Sequence, residues 1–101
     1  MIPEIEKLIE DLKRYAQSIT PVQTGSWQSA HTVEVTDRTA VLYIEPNVVN
    51  VRTGDPVISY ASTYEEEGGE RAIYKRTMEE MDVTDKVSRI VRAEVKGLGN
   101  Q

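Results

Sequence analysis

The sequence predicts an α+β domain: an antiparallel sheet built on a β-hairpin, with N- and C-terminal helices packed on one face. Three observations predict it. Apolar residues recur at helical spacing near the start of the chain and again over its last quarter. Two strand-like runs, His31 to Thr36 and Thr39 to Glu45, sit back to back around a short connection, Thr36-Asp37-Arg38. The chain has 101 residues, 39% of them hydrophobic, which suits one domain with a single modest core.

The N-terminal helix is predicted over residues 2–19. Ile2, Ile5, Leu8, Ile9, Leu12, Tyr15, Ala16 and Ile19 fall within an arc of about 140°, a core-facing stripe. Pro3 suits a first turn, and Glu4 and Glu6 favour the positive end of the helix dipole. Pro21 ends the helix, because the residue before a proline is pushed out of the α region. Thr24-Gly25 then reads as a turn, with Thr24 or Ser26 able to cap a helical turn around Trp27. In the hairpin, Val33 and Val35 share one face of the first strand. Ala40, Leu42 and Ile44 share one face of the second.

Pro46 to Pro56 mixes Val48, Val49 and Val51 with the turn residues Asn47, Asn50 and Thr53-Gly54-Asp55-Pro56. It reads as an extended hairpin or a long loop, and loops of this length are often functional. The segment 47–57 is expected to be mobile in an isolated subunit. A short helix is expected from Ile58 to Glu67, broken by Gly68-Gly69, and another from Ala72 to Met81. Asp82 and Thr84 offer a new cap. Val83, Val87, Ile90, Val91, Val95 and Leu98 make the last stripe, with Gly97 and Gly99 ending it and 97–101 a flexible tail. The expected core is Leu8, Leu12, Val33, Val35, Leu42, Ile44, Ile90 and Val91.

Several functions are disfavoured. No stretch approaches the roughly 18 apolar residues of a membrane span. Met1-Ile2-Pro3-Glu4 shows no basic region followed by an apolar run, so no secretory signal is expected. Zero cysteines exclude disulfides and thiolate metal sites and fit a reducing compartment. The net charge of -5 argues against a dedicated DNA-binder. His31, the only histidine, has no nucleophile or acid partner in the pattern and reads as a strand residue. Glu65, Glu66, Glu67 and Glu70 lack the alternation of a calcium loop and read as a solvated acidic surface. No Gly-rich phosphate loop is present. No catalytic residue, cofactor or metal is therefore expected.

Trp27, the lone tryptophan, reads as core or as a partly buried interface anchor. On the last helix Lys86, Arg89, Arg92 and Lys96 form a basic stripe opposite most of the apolar residues. The segments before it are acidic. One acidic and one basic face on a small domain suit head-to-tail contacts between identical subunits. The candidate interface residues are Trp27, Val48, Val49, Val51, Glu65, Glu66, Glu67, Glu70, Arg89 and Arg92.

Two short segments carry a resemblance. One is Pro21-Val22-Gln23-Thr24-Gly25-Ser26-Trp27-Gln28-Ser29; the other is Tyr60-Ala61-Ser62-Thr63-Tyr64-Glu65-Glu66-Glu67-Gly68. With the helices around them they resemble the tail-completion or head–tail joining family, minor tail proteins of long-tailed bacteriophages. That family shows Pro-Val-Asp-Thr-Gly-x-Leu-x-x-Ser and Tyr-Ala-x-x-Val-Glu-x-Gly. Here Gln23 stands for the aspartate, Trp27 for the leucine and Tyr64 for the valine. Ser29 comes one place early, Gly68 one place late, and the proline-containing start of the final helix is absent. The resemblance covers most of the chain. It implies a single joining-like domain over 1–101 and a non-enzymatic virion protein, forming a ring, expected as a hexamer, at the neck or upper tail. Its partners would be copies of itself, the connector and the tail-tube or tail-terminator proteins, with DNA passing through. It would be in the host cytoplasm during assembly. Two other classes stay open: a small acidic cytoplasmic binding module, such as an antitoxin or inhibitor, and a small enzyme of unrecognised type.

Overall fold

The computed structural model describes residues 1–99, with side chains through 97. The fold is α+β, in the order α1 (Pro3–Ile19), α2 (Ser26–Ala30), β1 (His31–Val35), β2 (Ala40–Ile44), α3 (Val57–Glu67), a 3₁₀ turn (Gly69–Arg71), α4 (Ile73–Glu80) and α5 (Val83–Gly99).

α1 begins as its sequence dictates, with Pro3 in the first turn and Glu4 and Glu6 behind it. It buries Leu8, Ile9, Leu12 and Ala16. Thr20 closes it: its backbone N–H and its hydroxyl both donate to the Ala16 carbonyl, at 3.1 and 2.6 Å. Gly25 then takes φ 81°, a left-handed conformation that disfavours a side chain, and starts α2. The N-cap is Gly25 and no side chain caps α2, so neither Thr24 nor Ser26 is the cap expected there; the Thr24 hydroxyl oxygen instead accepts from the Ser26 N–H at 3.2 Å within the turn.

β1 and β2 pair antiparallel with His31 opposite Ile44, Val33 opposite Leu42 and Val35 opposite Ala40. These six side chains share the face that α1 covers. Leu8, Ile9, Leu12 and Val83 form one apolar cluster, joined by Val33, Ala40, Leu42, Val87 and Ile90. The terminal helices thus lie on one side of the hairpin. α5 runs back along α1: Lys86, Arg89 and Ile90 lie beside Glu4, Leu8 and Asp11, and Glu94 beside Met1 to Glu4 and the hairpin tip. A second cluster holds Ala16, Trp27, Ala30, Ile44, Val57, Ala61 and Ile73.

Two expected core residues are not core. Val35 is 40% exposed, because it lies at the tip end of a sheet of only two strands. Val91 is 47% exposed, because it points about 100° round the helix from Ile90, which packs on the α1 cluster. Helix also continues through Gly97, where an end was expected, as far as Gly99. A side chain at Gly97 would meet only open space, and its backbone stays helical rather than positive in φ. The rest of the expected flexible tail, Asn100 and Gln101, lies outside the described residues.

The molecule is elongated, 57 × 26 × 19 Å, with a radius of gyration of 15.8 Å. A compact chain of this length would have about 13 Å. No described helix is long and apolar enough to cross a membrane.

Candidate functional site

The two motif segments, about forty residues apart in the chain, meet in space. Gly25 turns the chain so that Trp27 points into the second cluster. α3 brings Tyr60 and Tyr64 to it one helical turn apart. The Trp27 and Tyr64 rings stack at 5.4 Å and 19°, and Tyr60 meets Trp27 edge-on at 5.7 Å and 82°. Such pairs add roughly 0.5–1.5 kcal/mol beyond burial. The Arg71 guanidinium lies 5.0 Å over the Tyr64 ring, and its Nη1 donates to the Tyr64 hydroxyl at 3.1 Å. A cleft of about 240 Å³ opens beside these rings, lined by Gln23, Thr24, Asn50, Asp55 and Arg71.

Glu65, last of the second motif's matching residues, caps α4. Its carboxylate accepts from the backbone N–H groups of Tyr74 and Lys75, the latter at 3.2 Å. A carboxylate there also meets the positive end of the helix dipole. His31 is buried between the same elements. The Thr20 hydroxyl has one proton, already given to Ala16, so its oxygen accepts from His31 Nε2–H at 2.7 Å. His31 Nδ1 must then accept from the Tyr74 hydroxyl at 2.9 Å. This ledger requires the neutral ring. Burial, with Lys13 adding to it, lowers the His31 pKa to about 4. Burial first, then Glu65, raises that of Tyr74. His31 is a structural node joining the end of α1 to β1 and α4.

The loop before α3 is tied to this junction. Val57 N–H donates to the Val48 carbonyl at 3.0 Å, Asn50 N–H to Asp55 at 2.8 Å, and Val51 N–H to the Ser26 hydroxyl at 3.3 Å. Asn50 Oδ1 accepts from the Arg52 and Thr53 N–H groups. No third strand forms; Val49 and Pro56 make a single bridge. Bonds of this kind oppose the mobility expected of the segment.

The candidate interface residues fall into three groups. Trp27 and Val48 pack within the subunit. Glu65 is half-buried as the α4 cap. Val49, Glu66, Glu67, Glu70, Arg89 and Arg92 are exposed, and Val51 is 80% exposed. Arg89 pairs with Asp85 on its own helix at 2.8 Å. Among the described residues no ion pair uses Glu66, Glu67, Glu70 or Arg92. The glutamates and the arginines are not brought together within one subunit. Sequence reading missed Thr20, Arg71 and Tyr74. Their roles depend on partners 7 to 43 residues away, which no local spacing signals.

The other distinctive region is α5. Val91 and Val95, at 47% and 61% exposure, make a ridge on its outer half. The helix carries Lys86, Arg89, Arg92 and Lys96 against Asp85 and Glu94. The rest of the chain holds 8 cations against 15 carboxylates. The molecule is a basic arm, at +2, on an acidic body, at -7.

Among the described residues no three His, Cys, Asp or Glu side chains gather as a metal site. Comparison with known proteins returns no matching family model, no similar curated protein and no similar solved structure.

Proposed function

We propose that this chain is a structural assembly protein that works as a ring of identical subunits. Following the resemblance of its two motifs, the ring completes the tail or joins it to the connector at the head–tail interface of a long-tailed phage. The observation that carries the self-assembly reading is α5: a projecting arm with an unburied apolar ridge and a net positive charge, on a body of opposite charge. Ridge and charge both call for contact with a surface like the body of another copy. A head-to-tail contact of that kind closes into a ring when its rotation permits. The motifs themselves serve as backbone devices: a turn at Gly25, an aromatic anchor at Trp27 and a helix cap at Glu65. The acidic body suits a conduit for DNA, since a like-charged wall does not trap phosphate by counterion release.

The test is light scattering and electron microscopy of the purified full chain. A closed ring with an open centre is the expected result. A chain that stays monomeric at every concentration overturns self-assembly and favours an acidic binding module, to be followed by capture of a basic partner. Antibody labelling of particles from cells carrying the gene tests the placement. Label at the neck supports it, and unlabelled particles remove the virion role while leaving the ring.

A further inference from the structure

The ridge on α5 has no counterpart within its own subunit. α5 is one continuous helix whose first turns, at Val83 and Val87, line an apolar groove of about 360 Å³. Val95 lies eight residues beyond Val87, about 12 Å further along the axis. A rigid helix cannot return that ridge to its own groove.

The groove itself is open and apolar. Ile5 and Leu8 form one wall, Val41 of β2 a second, and Met78 of α4 a third. Val41 is 46% exposed and Met78 50%. At ~30 Å³ per water the space would hold about a dozen waters, or several aliphatic side chains. β2 reads Ala-Val-Leu-Tyr-Ile, a wholly apolar strand of the kind usually covered on both faces. Here one face meets α1; on the other, Tyr43 borders Ile58 and Ala61 of α3, while Val41 stays 46% exposed.

We infer that the Val91–Val95 ridge of one copy seats in the Val41–Met78 groove of the next, joining subunits head to tail. This rests on the self-assembly reading above and names its contact. Ridge and groove are both apolar, and they sit on different parts of one chain, so the contact is heterologous. The occupant is a second copy because the charges match: the arm is positive and every other part of the molecule taken together is negative. Charge of this kind orients the approach, and burial of Val91, Val95, Val41 and Met78 holds the contact.

The experiment measures the assembly state of the full chain by sedimentation and light scattering. The ridge variant is Val91→Asp with Val95→Asp; the groove variant is Met78→Asp. Each is expected to be monomeric under conditions where the wild type assembles, with unchanged helix content by circular dichroism because the three residues are 47%, 61% and 50% exposed. A 1:1 mixture of the two is expected to give heterodimers and nothing larger. One member supplies an intact groove and the other an intact ridge. The milder pair Val91→Thr with Val95→Thr keeps the side-chain shape and should weaken association roughly tenfold or more. Met78→Lys should behave as Met78→Asp does, which separates loss of apolar contact from added negative charge.

Other results overturn the contact in distinguishable ways. If the ridge variant is monomeric but the groove variant assembles normally, α5 docks elsewhere, for instance against α5 of another copy. Should both variants assemble like the wild type, the contact is wrong and the ring reading stands on some other surface, such as the outer edge of β2. A wild type that never assembles takes down the ring reading itself.

Discussion

The two ends of this molecule are built on opposite principles. At the Trp27 end, everything is spoken for inside one subunit. Three aromatic rings pack on one another, His31 uses both nitrogens, Glu65 caps a helix, and no described buried side-chain polar atom lacks a partner. At the α5 end, an apolar ridge and a cationic stripe are left to solvent. The first end is where the chain specifies its own fold; the second is where it is incomplete alone. Substitutions at the two ends should therefore act on different measurements. The first should move stability, the second association.

The largest effect expected is at Trp27. Trp27→Ala removes the ring that joins α2 to α3 and should lower unfolding free energy by about 3–5 kcal/mol in urea titrations. Leu12→Ala, in the other cluster, should cost roughly 2–5 kcal/mol. Val95→Asp should stay within about 0.5 kcal/mol in the same assay. A loss at Val95 as large as that at Leu12 would erase the contrast between the ends.

Next comes pH. His31 is held neutral, with its pKa lowered from 6.5 to about 4. Between those values the unfolded chain binds the proton and the folded chain does not, so stability rises with pH. The contribution is present above pH 6.5 and is lost as pH falls toward 4. Its full size is up to about 3 kcal/mol, at 1.36 kcal/mol per pKa unit. A stability–pH curve for the wild type beside His31→Gln checks this. The variant should be flatter across that window, and an equal slope in both removes His31 as the cause.

Glu65→Gln should cost about 1 kcal/mol, because a neutral side chain caps α4 less well than a carboxylate. Helix content and urea midpoint report it. If Glu65→Gln changes assembly and leaves the midpoint alone, Glu65 belongs to the interface rather than to the cap.

The smallest effects belong to the exposed charges. Reversal of Arg89 and Arg92 to glutamate should leave the melt unchanged and weaken assembly by roughly 0–1 kcal/mol per residue, more at low salt than at high. Reversal of Glu66 and Glu67 to lysine in the same chain should restore part of the loss if the glutamates of one copy face the arginines of the next. Normal assembly of the arginine variant at every salt concentration makes both stripes solvated faces.

The sequence by itself determined the local devices. The stripe from Leu8 to Ala16, the stop at Pro21, the turn at Gly25, the hairpin connection at Thr36 to Arg38 and the break at Gly68 follow from periodicity and backbone chemistry, which act over a few residues. Gly68 takes φ 78° and ψ -168°, a positive-φ conformation open essentially only to glycine, at the end of α3. Only the tertiary structure decided what each face meets. Val91 continues the same stripe as Ile90, yet one packs on the α1 cluster and the other is 47% exposed, because the position of α1 decides which flank of the stripe is covered. Glu65 sits in a run of three glutamates, and only the arrival of α4 makes one of them a cap. His31 became a buried node through Thr20 and Tyr74, whose positions are fixed by packing between elements. Spacing along a chain records which side of an element is apolar; it does not record which neighbour, in the same molecule or in another, will cover it.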